Sequence, residues 1–158
     1  MSGCFRNRRP DVPEYAVTDW HGGKVQLIRD SVIHLMRGQV YEICGKRFFT
    51  MGGASSHDIE AGILEPDAPD FKKQRKKLDT QSALYRVNHI SWWKEELPCD
   101  AEYETATRNL EHCRWKTDYI ITHCCPTSIA DILGNGEYQP DHLTDFLEVV
   151  KNRCDFGH

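Results

Sequence analysis

The chain has 158 residues, of which 39% are hydrophobic and 28% charged, and its formal net charge is −4. These values are typical of a globular domain with a hydrophobic core, and they exclude a general basic surface for nucleic acid or a membrane. No apolar run approaches the roughly 20 residues of a spanning helix, and the N-terminus lacks the apolar stretch of a secretory signal. We therefore expect a cytoplasmic protein with no membrane partner and no indication of a nucleic-acid partner.

The first part of the chain shows no clear hydrophobic period. Pro10 and Pro13 exclude a helix there. Residues 1–19 are therefore predicted to form a poorly ordered lead-in, and residues 20–158 a domain.

From residue 32 the pattern becomes that of strands. Residues 32–36 are apolar, residues 39–43 alternate with period two, and residues 47–51 follow a tight Cys44-Gly45-Lys46 connection. β-branched and aromatic residues in the runs, with glycine between them, predict a β-meander or a series of hairpins.

A loop and three further elements follow. Residues 52–58 are small and polar, and residues 70–84 predict a charged helix. Its basic cluster 72–77 is interpreted as a solvated face, with a binding patch as the weaker alternative. A helix is predicted from about residue 100 to 112, with Tyr103, Ala106, Leu110 and Cys113 on one apolar face.

The last third combines a buried strand with a final helix. Within residues 117–122, Tyr119, Ile120 and Ile121 are consecutive and apolar and polar residues bound them, which predicts a buried strand; His123 follows directly. A short turn or helix is predicted over 126–133, and then a helix with Pro140 in its first turn and an apolar stripe through Leu143, Leu147 and Val150. Strand, crossover helix and strand together indicate an α/β fold.

Among the polar residues, His123 has the most suggestive position. A neutral imidazole at the C-terminal end of a buried strand is a good ligand for Zn, Mn, Fe or Ni, although position alone favours a merely structural histidine. Cys124 beside it is a weaker candidate, as a nucleophile. The seven cysteines form no Cys-x-x-Cys pair, and adjacent Cys124 and Cys125 are predicted to be reduced thiols.

Four stretches of the chain together resemble the calcineurin-like metallophosphoesterases, in a bacterial branch of that family. They are LMRGQV (35–40), FFTMGGASSHD (48–58), NHISWWKEELP (88–98) and DYIITHCCP (118–126). The resemblance implies an α/β sandwich of two central sheets with a dinuclear centre of Mn, Fe, Zn or Ni. Such a centre activates a water and neutralises phosphoryl oxygens in phosphoester hydrolysis.

The resemblance also implies roles for particular residues. His123 matches the lone histidine of the family's fourth metal motif, and His158 matches the first histidine of the final Gly-His-x-His motif, on the same metal. His57 and Asp58 lie in a loop implied to border the cleft, where they contact substrate or orient a ligand. The alternative for that loop is structural, with glycines in a tight turn and Asp58 capping a helix.

The family's three N-terminal motifs, Asp-x-His, Gly-Asp-x-x-Asp and Gly-Asn-His, have no counterpart here. The expectation is therefore an incomplete metallophosphoesterase domain, truncated at the N-terminus and inside the last motif. A phosphatase or phosphodiesterase with weak or no activity as an isolated chain is predicted, with at most one weak metal site and an unidentified phosphoester substrate. The alternative is a non-catalytic remnant or interaction module. Self-association, or a complementing N-terminal chain, is the expected protein partnership.

Overall fold

The structure is a computed structural model that describes residues 15–56 and 59–157. The described chain forms two compact units, one from residues 15–54 and 97–157 and the other from Ser55–Glu96. It is a mixed α/β fold with three small sheets and four α-helices among these residues. The predicted α/β class is thereby confirmed, and the single predicted domain is divided by the second unit.

The first sheet is an antiparallel meander. It is built from β1 (Val17–Trp20), β2 (Gly23–Arg29) and β3 (Val32–Leu35), in that order. The predicted lead-in overlaps β1, which pairs with β2 from Val17 onward, while residues 1–14 lie outside the described chain. Neither β1 nor the seven-residue β2 was predicted, because no clear period was recognised before residue 32. Strand β3, predicted to continue into a meander with the two strands that follow it, pairs with β2 instead.

The second sheet has the order β4-β5-β8. Strand β4 (Gln39–Ile43) pairs antiparallel with β5 (Lys46–Met51), and β5 pairs parallel with β8 (Tyr119–Thr122). The connection between β4 and β5 is the predicted tight turn, in which Cys44 and Gly45 both have positive φ. Such angles give the turn the twist of the strands that it joins.

Two helices cover the second sheet. They are α2 (Asp100–His112) and α4 (His142–Arg153), and the short α3 (Thr127–Leu133) precedes α4. The core joins both helices to β5: Phe49, Met51, Tyr103, Ala106, Leu110, Trp115, Leu143, Leu147 and Val150 are buried together. The predicted apolar faces of both long helices are thus confirmed. None of the helices in the described part of the chain is both long and apolar enough to cross a lipid bilayer.

The helix starts differ slightly from the prediction. The N-cap of α2 is Cys99, one residue before Asp100. Pro140 is predicted in the first turn of α4, but α4 begins after Asp141, whose Oδ1 accepts a hydrogen bond of 2.8 Å from the Thr144 backbone N–H. An aspartate that satisfies a free helical N–H places the start of the helix after itself, and so after the proline.

The second unit contains little regular structure. Strands β6 (Ile63–Leu64) and β7 (Arg86–Val87) form a two-stranded parallel sheet, and α1 (Phe71–Thr80) lies between them in sequence. A single turn of 3-10 helix spans Lys94–Glu96. Helix α1 is shorter than the predicted 70–84, and Trp92 and Trp93 are both half-buried rather than divided between core and surface.

Candidate functional site

The parallel pairing of β5 and β8 brings two chain segments to one edge of the second sheet. Met51 ends β5 and lies opposite Thr122, which ends β8. Both strands run in the same direction, so residues 52–54 and His123 leave the sheet side by side. Ligands gather at such carboxyl ends of strands in α/β sheets. We call this end of the sheet the His123 edge.

His123 is exposed at this edge, directly after β8. The sequence therefore predicted its place correctly, at the end of a strand and accessible to solvent. Its other predicted partners lie elsewhere: His57, Asp58 and His158 fall outside the described residues.

The backbone shows where the chain leading to His158 runs. Asp155 pairs with Lys116 in a parallel bridge, and the Gly157 N–H donates to the Asp118 carbonyl at 3.3 Å. Both contacts are at the start of β8, whereas His123 follows its end. Gly157 and His123 therefore lie at opposite ends of this strand.

Arg37 is the residue of this edge that the sequence did not single out. A Cβ built on Gly52 would lie 3.9 Å from Arg37 Nε, so the guanidinium borders the loop that leaves β5. Arg37 Nη1 also lies 3.4 Å from Glu102 Oε2 on α2. In the sequence, Arg37 lies in the LMRGQV stretch that carries the resemblance, but no role was predicted for it. Its approach to Gly52 is long-range, and no local pattern reports it.

Glu102, on α2, holds Arg37 in place. Its Oε2 also accepts a hydrogen bond of 2.9 Å from the Cys99 backbone N–H at the start of α2. The carboxylate is buried and bound to backbone on one side, so it holds the guanidinium against α2 at a defined place. The guanidinium of Arg37 therefore has a defined position and is not a mobile group in solvent.

Cys124, next to His123, turns toward the core and not toward the edge. It packs against the hydrophobic cluster, and its thiol is free, as is that of Cys125. Burial, and then the nearby Asp141 and Cys125, raise the pKa of the Cys124 thiol above its ordinary value. A raised pKa leaves little thiolate at neutral pH, which weakens the alternative in which Cys124 is a nucleophile.

Tyr103 belongs to the core. Its ring packs against Phe146 and His142, with centroids 5.1 and 4.3 Å away. Burial, followed by the negative charge of Asp141, raises the pKa of Tyr103 to about 12. The phenol therefore stays protonated across the physiological range and serves as a packing group.

The described residues do not form a complete metal site by themselves. Within residues 15–56 and 59–157, no group of three or more His, Cys, Asp or Glu side chains is arranged to hold a metal ion. His123 is the accessible donor at the His123 edge, and catalytic zinc sites have three protein ligands.

The comparisons with known proteins add no family to this description. No family model matches the chain, and neither a curated protein nor a solved structure matches it.

Proposed function

We propose that the His123 edge is one side of a metal-dependent phosphoester hydrolase site, with His123 as a metal ligand. The observation that carries the proposal is the parallel pairing of Met51 with Thr122, which makes residues 52–54 and His123 neighbours at one sheet edge. The resemblance of both segments to metallophosphoesterase motifs supplies the chemistry, because that family uses a histidine after a strand as a ligand.

Arg37 supports the same proposal with the charge that such a substrate needs. A guanidinium presents planar N–H groups that match two phosphoryl oxygens, and it stays protonated at any physiological pH. Glu102 holds Arg37 next to Gly52, so the cation borders the loop through which a phosphoester would approach His123. We assign Arg37 to binding a phosphoryl oxygen.

The proposed activity of this chain alone is weak or absent. A divalent metal would supply activation of a water and neutralisation of the phosphoryl oxygens. The described donors fall short of the three protein ligands of a catalytic site, and two histidines alone rarely bind a metal tightly. We therefore expect loose metal binding that depends on His123.

A second candidate function is a non-catalytic interaction module. Its support is a pair of apolar side chains on α3, Ile132 and Leu133, which are 74% and 72% exposed. Apolar residues that a short helix leaves in water are typical of a surface that another protein covers.

Metal titration and a hydrolysis assay test the first proposal. We expect Mn²⁺ or Zn²⁺ to bind the wild-type chain weakly by calorimetry, and His123→Ala to abolish this binding. His112→Ala is the matched control, since His112 is exposed at the end of α2. Bis(4-nitrophenyl) phosphate should be cleaved slowly or not at all.

Two results would contradict the proposal. Metal affinity that is unchanged in His123→Ala would remove the assigned ligand. Fast turnover of the aryl phosphodiester by the isolated chain would show that a complete centre is present, against the expected weak activity.

A further inference from the structure

Positive charge is concentrated on helix α1. Five of its ten residues are basic, and none of the ten is buried. Lys72, Lys73, Lys76 and Lys77 are all exposed. At 100° per residue these four lysines cover an arc of about 140° on one side of the helix.

The charges at the start of the helix oppose its stability. Lys72 and Lys73 lie in the first turn, which contains no acidic residue. Cations there face the positive end of the helix dipole, where acids are the stabilising choice. Lys72 with Lys76, and Lys73 with Lys77, are also like-charge pairs four residues apart, and such pairs destabilise a helix. Lys77, in the last turn, faces the favourable negative end of the dipole, so the cost lies in the first turn and in the two like-charge pairs.

The nearby carboxylates do not neutralise these lysines. Asp79 lies 3.8 Å from Arg75 Nε and accepts from the Tyr85 hydroxyl at 2.6 Å. Asp70 Oδ2 accepts from Gln74 Nε2 at 2.6 Å. No ion pair joins any of the four lysines to a residue of the described chain, so their charges are available to an external anion.

We propose that this lysine face of α1, formed by Lys72, Lys73, Lys76 and Lys77, binds the phosphate backbone of a nucleic-acid strand. Lys72 and Lys76 are about 6 Å apart along the helix axis, and so are Lys73 and Lys77. That distance is close to the roughly 6.8 Å spanned by two successive phosphate steps along one strand of a duplex. The net charge of −4 argues against nucleic acid for the chain as a whole, but this face presents only cations.

A lipid surface fits the helix less well. Membrane-surface helices place large apolar side chains beside their lysines, where these can enter the bilayer. The apolar residues of α1, Phe71 and Leu78, are half-buried and fall on the opposite side of the helix at 100° per residue. The inference does not depend on the proposed phosphoesterase site.

The test is binding of the full chain to a fluorescein-labelled DNA duplex of about 20 base pairs, followed by anisotropy. We expect wild-type affinity to fall with salt, with a log–log slope of about −3.6, as four phosphate contacts to a duplex require. Replacing the four lysines by glutamine should weaken binding at 50 mM salt by about tenfold or more and flatten the slope. Glutamine keeps helix propensity close to that of lysine.

Two control variants distinguish an effect of the position of the lysines from an effect of the total charge of the protein. Glutamine at the exposed Lys24, Arg29, Arg108 and Lys116 gives the same net charge. We expect its binding to stay within about twofold of wild type, because nonspecific affinity depends on the cations that touch phosphate. Arginine at the four α1 positions should retain binding. Circular dichroism confirms that each variant is folded.

Several results would overturn the inference. One is the absence of wild-type binding to the duplex; another is an equal decrease of affinity in both glutamine variants. If polyglutamate competes as strongly as unlabelled duplex at equal charge, the partner is instead an acidic protein. Stronger binding to phosphatidylserine vesicles than to the duplex would point to a membrane.

Discussion

Gly38 is the residue at which the loop before β4 meets helix α2. Its φ is +71°, and a Cβ there would lie 2.8 Å from the Glu102 carbonyl oxygen and 2.9 Å from the Ala106 nitrogen. The Gly38 carbonyl also accepts from Asn109 Nδ2 at 2.7 Å. The absence of a side chain therefore allows the helix to approach the strand closely.

Alanine at this position should destabilise the protein strongly. Gly38→Ala adds both left-handed backbone strain of about 1–2 kcal/mol and a steric cost of about 1–3 kcal/mol, because the atoms it meets belong to backbone. Gly45→Ala is the matched control, with φ +72° and no atom within 4 Å of the added Cβ. Urea unfolding should show the larger decrease in stability for Gly38→Ala, and equal decreases would contradict the close contact.

Single residues also show how far the sequence could predict the candidate site. The position of His123 was predictable, because an apolar run ends directly before it. That run forms the predicted strand, but it is partly exposed and not buried as predicted. The role of Arg37 was not, since its neighbours Gly52 and Glu102 come from distant parts of the chain. A charged residue in a turn gives no signal of the contacts that fold around it.

Among the elements, helices α3 and α4 are joined by a carboxylate. Glu148 Oε1 lies 2.7 Å from Lys151 Nζ, and Oε2 accepts from the Ser128 backbone N–H and hydroxyl at 3.1 and 2.8 Å. The bond from Lys151, and then those from Ser128, lower the pKa of Glu148 to about 2. The carboxylate thus ties the start of α3 to the middle of α4.

This contact predicts an acid-sensitive stability. Because the folded pKa of Glu148 is below the unfolded value, its contribution is complete above about pH 4.5. The contribution then disappears as the pH falls toward 2. We expect Glu148→Gln to weaken the pH dependence of the thermal midpoint between those values.

Glu104→Gln, at an exposed position of α2, serves as the control and should keep the wild-type pH dependence. An unchanged pH dependence in Glu148→Gln would show that the ties to Ser128 and Lys151 do not stabilise the folded state.

The four helices and four of the eight strands among the described residues were predictable. Helices α2 and α4 have apolar faces at helical spacing, and β4 and β5 are joined by a two-residue turn with glycine, so local patterns determine them. Strands β6 and β7 contain two residues each. Strands that short have no period, and only their pairing defines them.

At the scale of the whole molecule, β8 is an outer strand of the second sheet, as is β4. Residues 155–157 pair beside the start of β8, up to Asp118, and no described strand pairs with its outer side from Tyr119 to Thr122. Ile121 in this strand is 48% exposed. An exposed apolar residue on an edge strand favours pairing with another chain. We therefore expect the protein to self-associate through β8 at high concentration.

Sedimentation velocity tests this expectation over a range of concentrations. Ile121→Lys should shift the protein to its monomer mass of 18.3 kDa, because a charge on the edge opposes pairing. Val149→Lys, at a 45% exposed position on α4, should leave the association unchanged. A wild-type chain that remains monomeric at all concentrations would rule out the β8 contact.

The division into two units was not predictable from composition. The sequence between β5 and β8 shows loops and helices like those elsewhere, and Ser55–Glu96 are a unit of their own only through the contacts that they make among themselves. Sequence patterns report local structure, whereas this division depends on contacts between distant segments.

The parallel pairing of β5 with β8 also affects the order in which the parts of the protein fold. The hairpin of β4 and β5 closes through a short turn, whereas β8 reaches β5 only after the second unit and α2. Closing a longer loop costs more entropy, and contacts of long sequence separation form slowly. We therefore expect the hairpin to form early and β8 to join it late, so that the His123 edge is assembled near the end of folding.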